Sequence, residues 1–161
     1  MGMRNYLIEG VSGSGKTPVC DELERRGYHS VHGDRVLAYQ GDPKTGRPLP
    51  GFSHENHICD IKILKSLVSD KTYTNSFFCG GSRNFNDFVR LFDLVFVLEV
   101  NQSTLIRRLN VRSTDEWGGR KSERELILRL HATKEGLPKD GIKIDASAPI
   151  NKVVDEILKK I

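Results

Sequence analysis

The amino-terminal segment contains a pattern whose residue types and spacing can bind phosphate. The pattern G-x-x-x-x-G-K-S/T is completed by Gly10, Gly15, Lys16 and Thr17. Its glycines allow successive backbone N–H groups to point at one anion, and a helix starting here adds the partial positive charge of its amino end. We expect Lys16 to contact the β- and γ-phosphates of a nucleoside triphosphate and Thr17 to ligate Mg²⁺. The alternative is a glycine-rich turn that only caps a helix. The predicted contacts in this loop are Gly10, Ser12, Gly13, Ser14, Gly15, Lys16 and Thr17.

A carboxylate, Asp34, follows the second strand-like run of the sequence. In that place it can orient or deprotonate an acceptor hydroxyl, or hold Mg²⁺ through water. The alternative is an aspartate that only stabilises a turn. Arg35 beside it can bind an anionic acceptor or remain in solvent, and the residues leave both open.

The segment 79–84 offers further substrate contacts. Gly80 and Gly81 let a ligand approach the backbone, and Arg83 can grip a carboxylate or a phosphate with two parallel hydrogen bonds. This segment contains no carboxylate. The predicted substrate-binding residues are Asp34, Arg35, Gly80, Gly81 and Arg83.

Two histidines, His54 and His57, are spaced i, i+3 at the start of a stretch with a helical apolar stripe, 54–68. This spacing can bind a metal, but histidines at a helix start are more often solvated or capping residues. We therefore predict no metal other than Mg²⁺, held by Thr17 and Asp34.

Basic residues crowd a short stretch in the second half of the chain, namely Arg107, Arg108, Arg112, Arg120 and Lys121. Arginines on a mobile segment can neutralise phosphate charge when a lid closes and excludes water. We place this lid at about 112–122, with Trp117-Gly118-Gly119 as a flexible tip, and expect Arg107 to be solvated. The predicted catalytic residues are Lys16, Asp34, Arg112 and Arg120.

Strand-like runs alternate with helix-like segments along the chain. The predicted strands are 6–9, 28–31, 74–78, 94–98 and 142–144, and the predicted helices are 16–26, 54–68, 85–92, 102–109, 123–131 and 151–158. Such alternation predicts an α/β fold with a parallel sheet between two helix layers. Ligands of these folds lie at the carboxyl ends of the strands. The Gly- and Pro-rich stretch 35–53 is long enough to be a functional loop, and we predict that it binds the acceptor.

Composition narrows the class of protein. The chain has 161 residues with 37% hydrophobic content, which fits a single domain, 1–161. No apolar run is long enough for a membrane span, and the start lacks the features of a signal peptide. Three cysteines without C-x-x-C spacing predict reduced thiols and a cytoplasmic location. The net charge of +4 lies mainly near the basic stretch, which favours phosphate substrates over nucleic acid.

Taken in order, several motifs resemble the P-loop kinase group that includes adenylate kinase, shikimate kinase and gluconate kinase. The P-loop carries most of the resemblance, and the stretches 27–35, 104–112 and 144–149 add to it. The resemblance implies a three-layer fold with five strands in the order 2-3-1-4-5. It also implies that Arg108 stacks on adenine, that Arg112 contacts phosphate, and that Ala146 and Pro149 border the adenine.

The chain departs from these families on the acceptor side. Nucleotide monophosphate kinases of the group typically have an aspartate in the segment that here reads 79–84, whereas the paired glycines are similar to shikimate kinase. The second acidic residue near Asp34 and the helix arginine of shikimate kinases are missing. The resemblance therefore implies a kinase but does not choose the acceptor.

The function predicted from the sequence is transfer of the γ-phosphoryl group of Mg-ATP to the hydroxyl of a small molecule, such as a sugar acid, a shikimate-like compound or a nucleoside. The alternatives are a nucleoside monophosphate kinase, a P-loop ATPase switch that uses Glu99 as its Walker B acid, and a non-catalytic nucleotide-binding protein. The choice between ATP and GTP and between monomer and homodimer stays open. The expected partners are the triphosphate and the acceptor, without a membrane.

Overall fold

The computed structural model describes residues 2–161. In chain order it contains β1 (Gly2–Glu9), α1 (Lys16–Arg25), β2 (His29–His32), α2 (Gly33–Val36), β3 (Ala38–Gln40), β4 (His57–Cys59), α3 (Ile61–Ser69), β5 (Tyr73–Cys79), β6 (Leu94–Glu99), α4 (Gln102–Asn110), α5 (Lys121–Thr133), β7 (Ile142–Asp145) and α6 (Ile150–Leu158). Single 3₁₀ turns occur at His54–Asn56, Phe85–Asp87 and Val89–Leu91.

The main sheet has five parallel strands in the order β2-β5-β1-β6-β7. When only these five are numbered along the chain, the order is 2-3-1-4-5, as the resemblance implied. The central strand β1 leads directly into the glycine-rich loop, and β2 and β5 end beside it. This arrangement brings the ends of three strands to one edge of the sheet, where the predicted site residues lie.

Side chains of the central strands alternate between two apolar layers, because successive residues of a strand point to opposite faces. Tyr6 and Ile8 pack with residues of α1, α4, α5 and α6. Leu7, between them, packs on the other face with α3 and the 3₁₀ turns that carry Phe88. The predicted three-layer α/β fold is therefore confirmed.

The predicted helix 54–68 is wrong in its first half. A 3₁₀ turn and strand β4 occupy that half, and α3 begins only after Asp60. The Asp60 carboxylate caps α3 by accepting hydrogen bonds from the backbone N–H groups of Lys62 and Ile63, at 3.0 and 3.1 Å. Strand β4 is fixed by pairing with β3, a partner that helical periodicity does not reveal.

The predicted helix 85–92 is also wrong, since two 3₁₀ turns replace it. Backbone hydrogen bonds here join residues three apart, as from Phe88 N to Phe85 O at 3.1 Å. These turns bury Phe88 and Phe92 against Phe78 of the sheet. Aromatic packing on the sheet thus accompanies the shorter turns.

The stretch 35–53 is partly ordered by backbone pairing. Strand β3 pairs antiparallel with β4, and a bridge joins Gly41 to Pro48. Its end carries Phe52 back towards the edge of the sheet where the strands end. Within residues 2–161, no helix is both long and apolar enough to cross a membrane. The acceptor loop, the lid and the single domain stay predictions.

Candidate active site

The glycine-rich loop between β1 and α1 requires glycine at two positions. Gly13 and Gly15 have φ of 89° and 106°, in the left-handed region that L side chains rarely adopt. At Gly13 a Cβ would also lie 2.7 Å from Cδ1 of Leu105 on α4. The loop therefore curls tightly against α4 before the chain enters α1.

Polar groups of this loop are gathered around the space that the curl encloses. The Lys16 ammonium donates hydrogen bonds to the carbonyl oxygens of Gly10 and, at 3.2 Å, Val11. Ser14 Oγ is buried and has no hydrogen-bond partner among the described residues. Thr17 is exposed in the adjoining cavity. The backbone N–H groups of such a loop, an ammonium and hydroxyl groups are the kinds of group that bind a triphosphate.

The first cavity has a volume of about 390 Å³. It is lined by Ser12, Gly13, Ser14, Gly15, Lys16, Thr17, Pro18, Val19, Asp34, Arg108, Arg112, Ala146, Ala148, Ile150 and Val153. Most of the residues predicted to bind the nucleotide are therefore in one place. Thr17 and Asp34 supply oxygen atoms to this cavity, and oxygen is the ligand that Mg²⁺ prefers.

Two arginines of α4 and the segment after it reach back to the loop. Arg108 donates to the carbonyls of Gly13 and Ser14, both at 3.1 Å, and to that of Ala146 at 2.9 Å. Arg112 donates to Ser12 Oγ at 2.9 Å and to the carbonyl of Trp117 at 2.6 Å. Both guanidinium groups thus border the space where phosphates or a base would lie.

A second cavity of about 340 Å³ opens on the other side of Lys16. It is lined by Glu9, Gly10, Val11, Ser12, Lys16, Asp34, Phe52, His54, His57, Gly81, Arg83, Trp117, Ile127, Leu130, Glu135 and Leu137. The two cavities share Ser12, Lys16 and Asp34. A group bound in one cavity can therefore meet a group bound in the other at these three residues.

Asp34 lies on α2, directly after β2, and its carboxylate is paired. Oδ1 lies 3.0 Å from Nε2 of His57. Burial raises the pKa of the Asp34 carboxyl, but the His57 hydrogen bond, the Lys16 charge and the Gly81 N–H outweigh it and leave the pKa below its ordinary value. Asp34 is therefore ionised at neutral pH.

Glu9 is a site residue that the sequence analysis missed. It is the last residue of β1, is 1% exposed, and its Oε2 accepts a hydrogen bond from Gly10 N–H at 3.1 Å. Burial raises the pKa of Glu9 to about 7, against the lowering effect of Lys16. Gly81 gives this carboxyl room, since a Cβ there would lie 3.2 Å from Oε2. A signal was present in the sequence, because an acidic residue at the end of a central strand is rarely buried without a role.

Three aromatic rings from two segments, residues 52–54 and the segment after α4, form one wall of the second cavity. His54 lies nearly parallel to Trp117, with an interplanar angle of 7° and centroids 6.2 Å apart. Phe52 meets Trp117 edge-on at 5.7 Å. Burial, followed by the charge of Arg83, lowers the pKa of His54 to about 4. The ring of His54 is therefore neutral at physiological pH.

Arg83 is held at the opposite part of this cavity. Its guanidinium donates to the carbonyl of Gly136 at 3.2 Å. A Cβ at Gly136 would lie 2.1 Å from Arg83 Nη1, so glycine is needed for this contact. The backbone N–H of Arg83 also donates to the carbonyl of His57 at 2.9 Å, which ties the segment 79–84 to β4.

Several residues predicted for the site line neither cavity. Arg35, Arg120 and Pro149 are exposed, and Gly80 is buried behind Asp34. Arg120 Nε donates to the carbonyl of Thr114 at 3.4 Å. Arg35, Gly80 and Pro149 stand next to lining residues in the chain but do not line a cavity themselves. Their roles in the site stay predictions.

The predicted flexible tip of the lid is packed. Gly118 and Gly119 are buried, and Gly118 N–H donates to Glu123 at 2.9 Å while Arg124 binds both of their carbonyls. Trp117 is thereby turned into the second cavity. The two glycines let the side chains of Glu123 and Arg124 come close to the backbone, so they do not form a free loop end.

Two other groups of charged residues lie away from both cavities. Glu99, the alternative Walker B acid, is flanked by the ammonium groups of Lys134 and Lys143 at 3.7 and 3.6 Å. A separate cluster brings one ligand atom each from Cys20, Glu24 and His32 within 4.8 Å of one another. Neither group lines either cavity.

Comparison with known proteins decides the family. Residues 7–129 match the AAA domain family, a match that covers most of the chain. The chain belongs to the AAA domain family. The match begins within β1 and ends in α5, so this AAA domain includes the glycine-rich loop, Asp34, Arg83 and the two arginines predicted for the lid, Arg112 and Arg120.

Alignments with individual relatives cover nearly all of this chain and most of each relative. The thymidylate kinase of Leptospira interrogans is 24% identical over an alignment that covers 95% of this chain and 91% of the relative. A shikimate kinase from Acinetobacter baumannii in complex with shikimate has a TM-score of 0.65 at 18% identity, covering 98% and 92% of the two chains. A deoxyadenosine kinase from M. mycoides with bound dATP has a TM-score of 0.55 at 18% identity, covering 98% of each chain. The predicted resemblance to P-loop kinases of nucleotides and small molecules is confirmed, and the predicted enzyme class, a small-molecule kinase, agrees with it.

Proposed function

We propose that this chain transfers the γ-phosphoryl group of Mg-ATP to a hydroxyl group of a small acceptor. The observation that carries this proposal is the meeting of two cavities at Lys16 and Asp34. One cavity has the curled backbone and cations that suit a triphosphate, and the other has room for a second small molecule. Phosphoryl transfer needs the two reactants in line, and a shared boundary supplies that geometry.

The nucleotide side is assigned from its contacts. Backbone N–H groups of the glycine-rich loop and the Lys16 ammonium bind the phosphates, and Arg112 adds charge from the segment after α4. Arg108, which joins the loop to the Ala146 carbonyl, and Ala146 itself would border an adenine ring. Thr17 and Asp34 would hold Mg²⁺, which when bound neutralises phosphate charge and orients the terminal phosphate.

The acceptor side is assigned to Asp34. In the proposed reaction the acceptor oxygen forms a bond to the γ-phosphorus, the bond from that phosphorus to the bridging oxygen breaks, and ADP leaves. The hydroxyl proton passes to the Asp34 carboxylate, which is ionised and held by His57. Lys16 stabilises charge on the transferred group, because it borders both cavities.

A second candidate function is phosphorylation of a nucleoside monophosphate. The name of the Leptospira relative, thymidylate kinase, favours it, and Arg83 in the second cavity can contact a phosphate. This reaction needs cations around the acceptor rather than a base, because a monophosphate oxygen is already ionised. The two candidates therefore make different demands on Asp34 and Arg83.

The kinase proposal is tested by ADP release. The purified chain is incubated with Mg-ATP and a panel of acceptors that includes hydroxy acids, nucleosides and nucleoside monophosphates. We expect one class to raise ADP release at least about tenfold over the rate without acceptor, and mass spectrometry to find an acceptor heavier by one phosphoryl group. Lys16→Ala is the control, since it should abolish this release while the circular dichroism spectrum is unchanged. Release that is unaffected by every acceptor would contradict the proposal.

A further inference from the structure

We propose that the acceptor is an uncharged molecule with a planar heteroaromatic ring and a free hydroxyl group, the chemistry of a nucleoside. This inference rests on the proposed kinase function and names the substrate class of its acceptor cavity. It is carried by the walls of that cavity, by its balance of charges and by two buried polar atoms, taken in turn below.

The walls of the cavity suit a flat ring. On one side Phe52, His54 and Trp117 present aromatic surface, with His54 and Trp117 nearly parallel. The remaining apolar lining is aliphatic: Ile127, Leu130 and Leu137 come from α5 and the segment after it, and Val11 comes from the glycine-rich loop. Aromatic surface is matched best by another ring, which stacks or meets it edge-on. A polyol without a ring would leave this surface uncovered by a complementary group.

The exposure of Phe52 supports the same conclusion. This ring is 71% exposed, although a large apolar side chain at a cavity mouth gains free energy when it is covered. It lies at the end of the stretch 35–53 and touches Trp117. A planar ligand that enters the cavity would cover part of the ring of Phe52.

The charges around the cavity do not suit an anion. Its cations are Lys16 and Arg83, and its acidic groups are Glu9, Asp34 and Glu135. Lys16 is used by the phosphates of the nucleotide. That leaves Arg83 facing two carboxyl groups within the cavity, Glu9 and Asp34, with Glu135 paired outside to Arg129 at 3.8 Å.

An acceptor with a carboxylate or phosphate would therefore find no surplus of cations, because the charge of Arg83 is offset by the Asp34 carboxylate and in part by Glu9, whose pKa of about 7 leaves it partly ionised at neutral pH. Sites that bind such anions present a surplus of cations. The histidines do not supply one, because His57 is paired with Asp34 and the pKa of His54 lies at about 4. The balance of charge selects a neutral acceptor.

The cavity also contains polar groups that can form hydrogen bonds with the edge of a ring. Nε2 of His54 is buried and has no hydrogen-bond partner among residues 2–161. The carboxyl of Glu9 lines the cavity and is fixed through Gly10 N–H at 3.1 Å. A carboxyl and an imidazole nitrogen can together satisfy the donors and acceptors on the edge of a nucleobase. The hydroxyl arm would then extend to Asp34 and Lys16, where the cavities meet.

The test compares three acceptor classes with wild-type protein and two variants. Nucleosides, their 5′-monophosphates and the hydroxy acids gluconate and shikimate are assayed for ADP release with Mg-ATP. Phe52→Ala removes an exposed ring of the cavity, and Tyr73→Ala is the matched control, since Tyr73 is 44% exposed and lines neither cavity. We expect nucleosides to give the highest kcat/KM, and Phe52→Ala to raise their KM about tenfold, as loss of one stacking contact does. Tyr73→Ala should leave KM unchanged.

The outcomes separate this inference from the function on which it rests. ADP release driven by hydroxy acids or monophosphates, and not by nucleosides, would overturn the acceptor class and leave the kinase intact. If no class drives ADP release, the kinase is overturned; a thermal shift measured with nucleosides and an unhydrolysable ATP analogue then judges the acceptor class. A shift that Phe52→Ala removes would support the ring-binding cavity, and no shift would overturn it as well.

Discussion

The carboxylate of Asp34 lies 3.0 Å from Nε2 of His57, although the two residues are 23 positions apart in the chain. Asp34 lies on α2 directly after β2, an edge strand of the main sheet, whereas His57 begins β4 in the small antiparallel pair. The contact orients the carboxylate towards the boundary of the two cavities. It also helps to keep the pKa of Asp34 below its ordinary value, so the carboxylate is available as a base at neutral pH.

Replacement of Asp34 by Asn should lower kcat about 100-fold or more, the usual size of an acid–base contribution. The change keeps the shape of the side chain but removes the charge that accepts the hydroxyl proton. Binding of ATP should be retained, because the loop backbone and Lys16 do not depend on Asp34. Steady-state kinetics and nucleotide titration measure both quantities. A matched control is Asp140→Asn, which should retain wild-type kcat, since Asp140 is exposed and lines neither cavity. Full activity in Asp34→Asn would favour the monophosphate kinase instead.

Removal of the imidazole in His57→Leu should move the acidic limb of the kcat profile to higher pH. The reason is that the His57 hydrogen bond is the largest of the influences that lower the pKa of Asp34 against the raising effect of burial, so its loss raises that pKa. Activity is then lost earlier as the pH falls. His57→Gln, which can still donate a hydrogen bond, should restore much of the profile. A uniform loss of kcat at all pH values, without a shift of the limb, would mean that His57 only supports the fold.

The two predicted lid arginines should differ in their effects. Arg112 contacts Ser12 Oγ at 2.9 Å, whereas Arg120 is exposed and lines neither cavity. Arg112→Ala should lower kcat roughly 10- to 1,000-fold, a loss of about 1.4 to 4 kcal/mol in transition-state stabilisation. Arg120→Ala should have a smaller effect, and its size reports how far the segment 112–122 moves over the nucleotide. Single-turnover kinetics of both variants provide the comparison. Wild-type rates in both variants would contradict the predicted lid.

Glu9 should make the stability of the protein depend on pH. Its pKa is raised from 4.5 to about 7 in the folded chain, so the folded state binds the proton more tightly than the unfolded state does. The contribution of Glu9 to stability is therefore fully present below pH 4.5 and is lost as the pH rises through about 7. Since one pKa unit corresponds to about 1.4 kcal/mol, the ionised form costs up to about 3 kcal/mol.

Replacement of Glu9 by Gln should remove that dependence. Urea unfolding of the two proteins should give similar free energies at about pH 5, where Glu9 is protonated, and a more stable variant at about pH 8. Other ionisable groups are common to both proteins and cancel in the difference. Parallel stability curves across this range would show that the Glu9 carboxyl is not perturbed by its burial.

The site residues that the sequence analysis predicted have partners close by in the chain, whereas the residues that it missed have partners far away in the chain. Lys16 and Thr17 could be assigned because their partners in phosphate binding are consecutive backbone groups. His57 could not, because periodicity placed it on a helix, whereas pairing with β3 made it a strand. Glu9 was overlooked because its burial depends on Gly81, which approaches from β5.

What the sequence determined by itself is the phosphate-binding loop, the parallel α/β sheet and the group of kinases that the chain resembles. These follow from local spacing and from alternating apolar runs, which act over a few residues. The tertiary structure decided the acceptor side. Phe52, His54 and Trp117 form one wall only because residues 52–54 and the segment after α4 meet near the strand ends. This contact depends on packing between segments that are distant in the chain, so it cannot be predicted from a linear pattern of residue types.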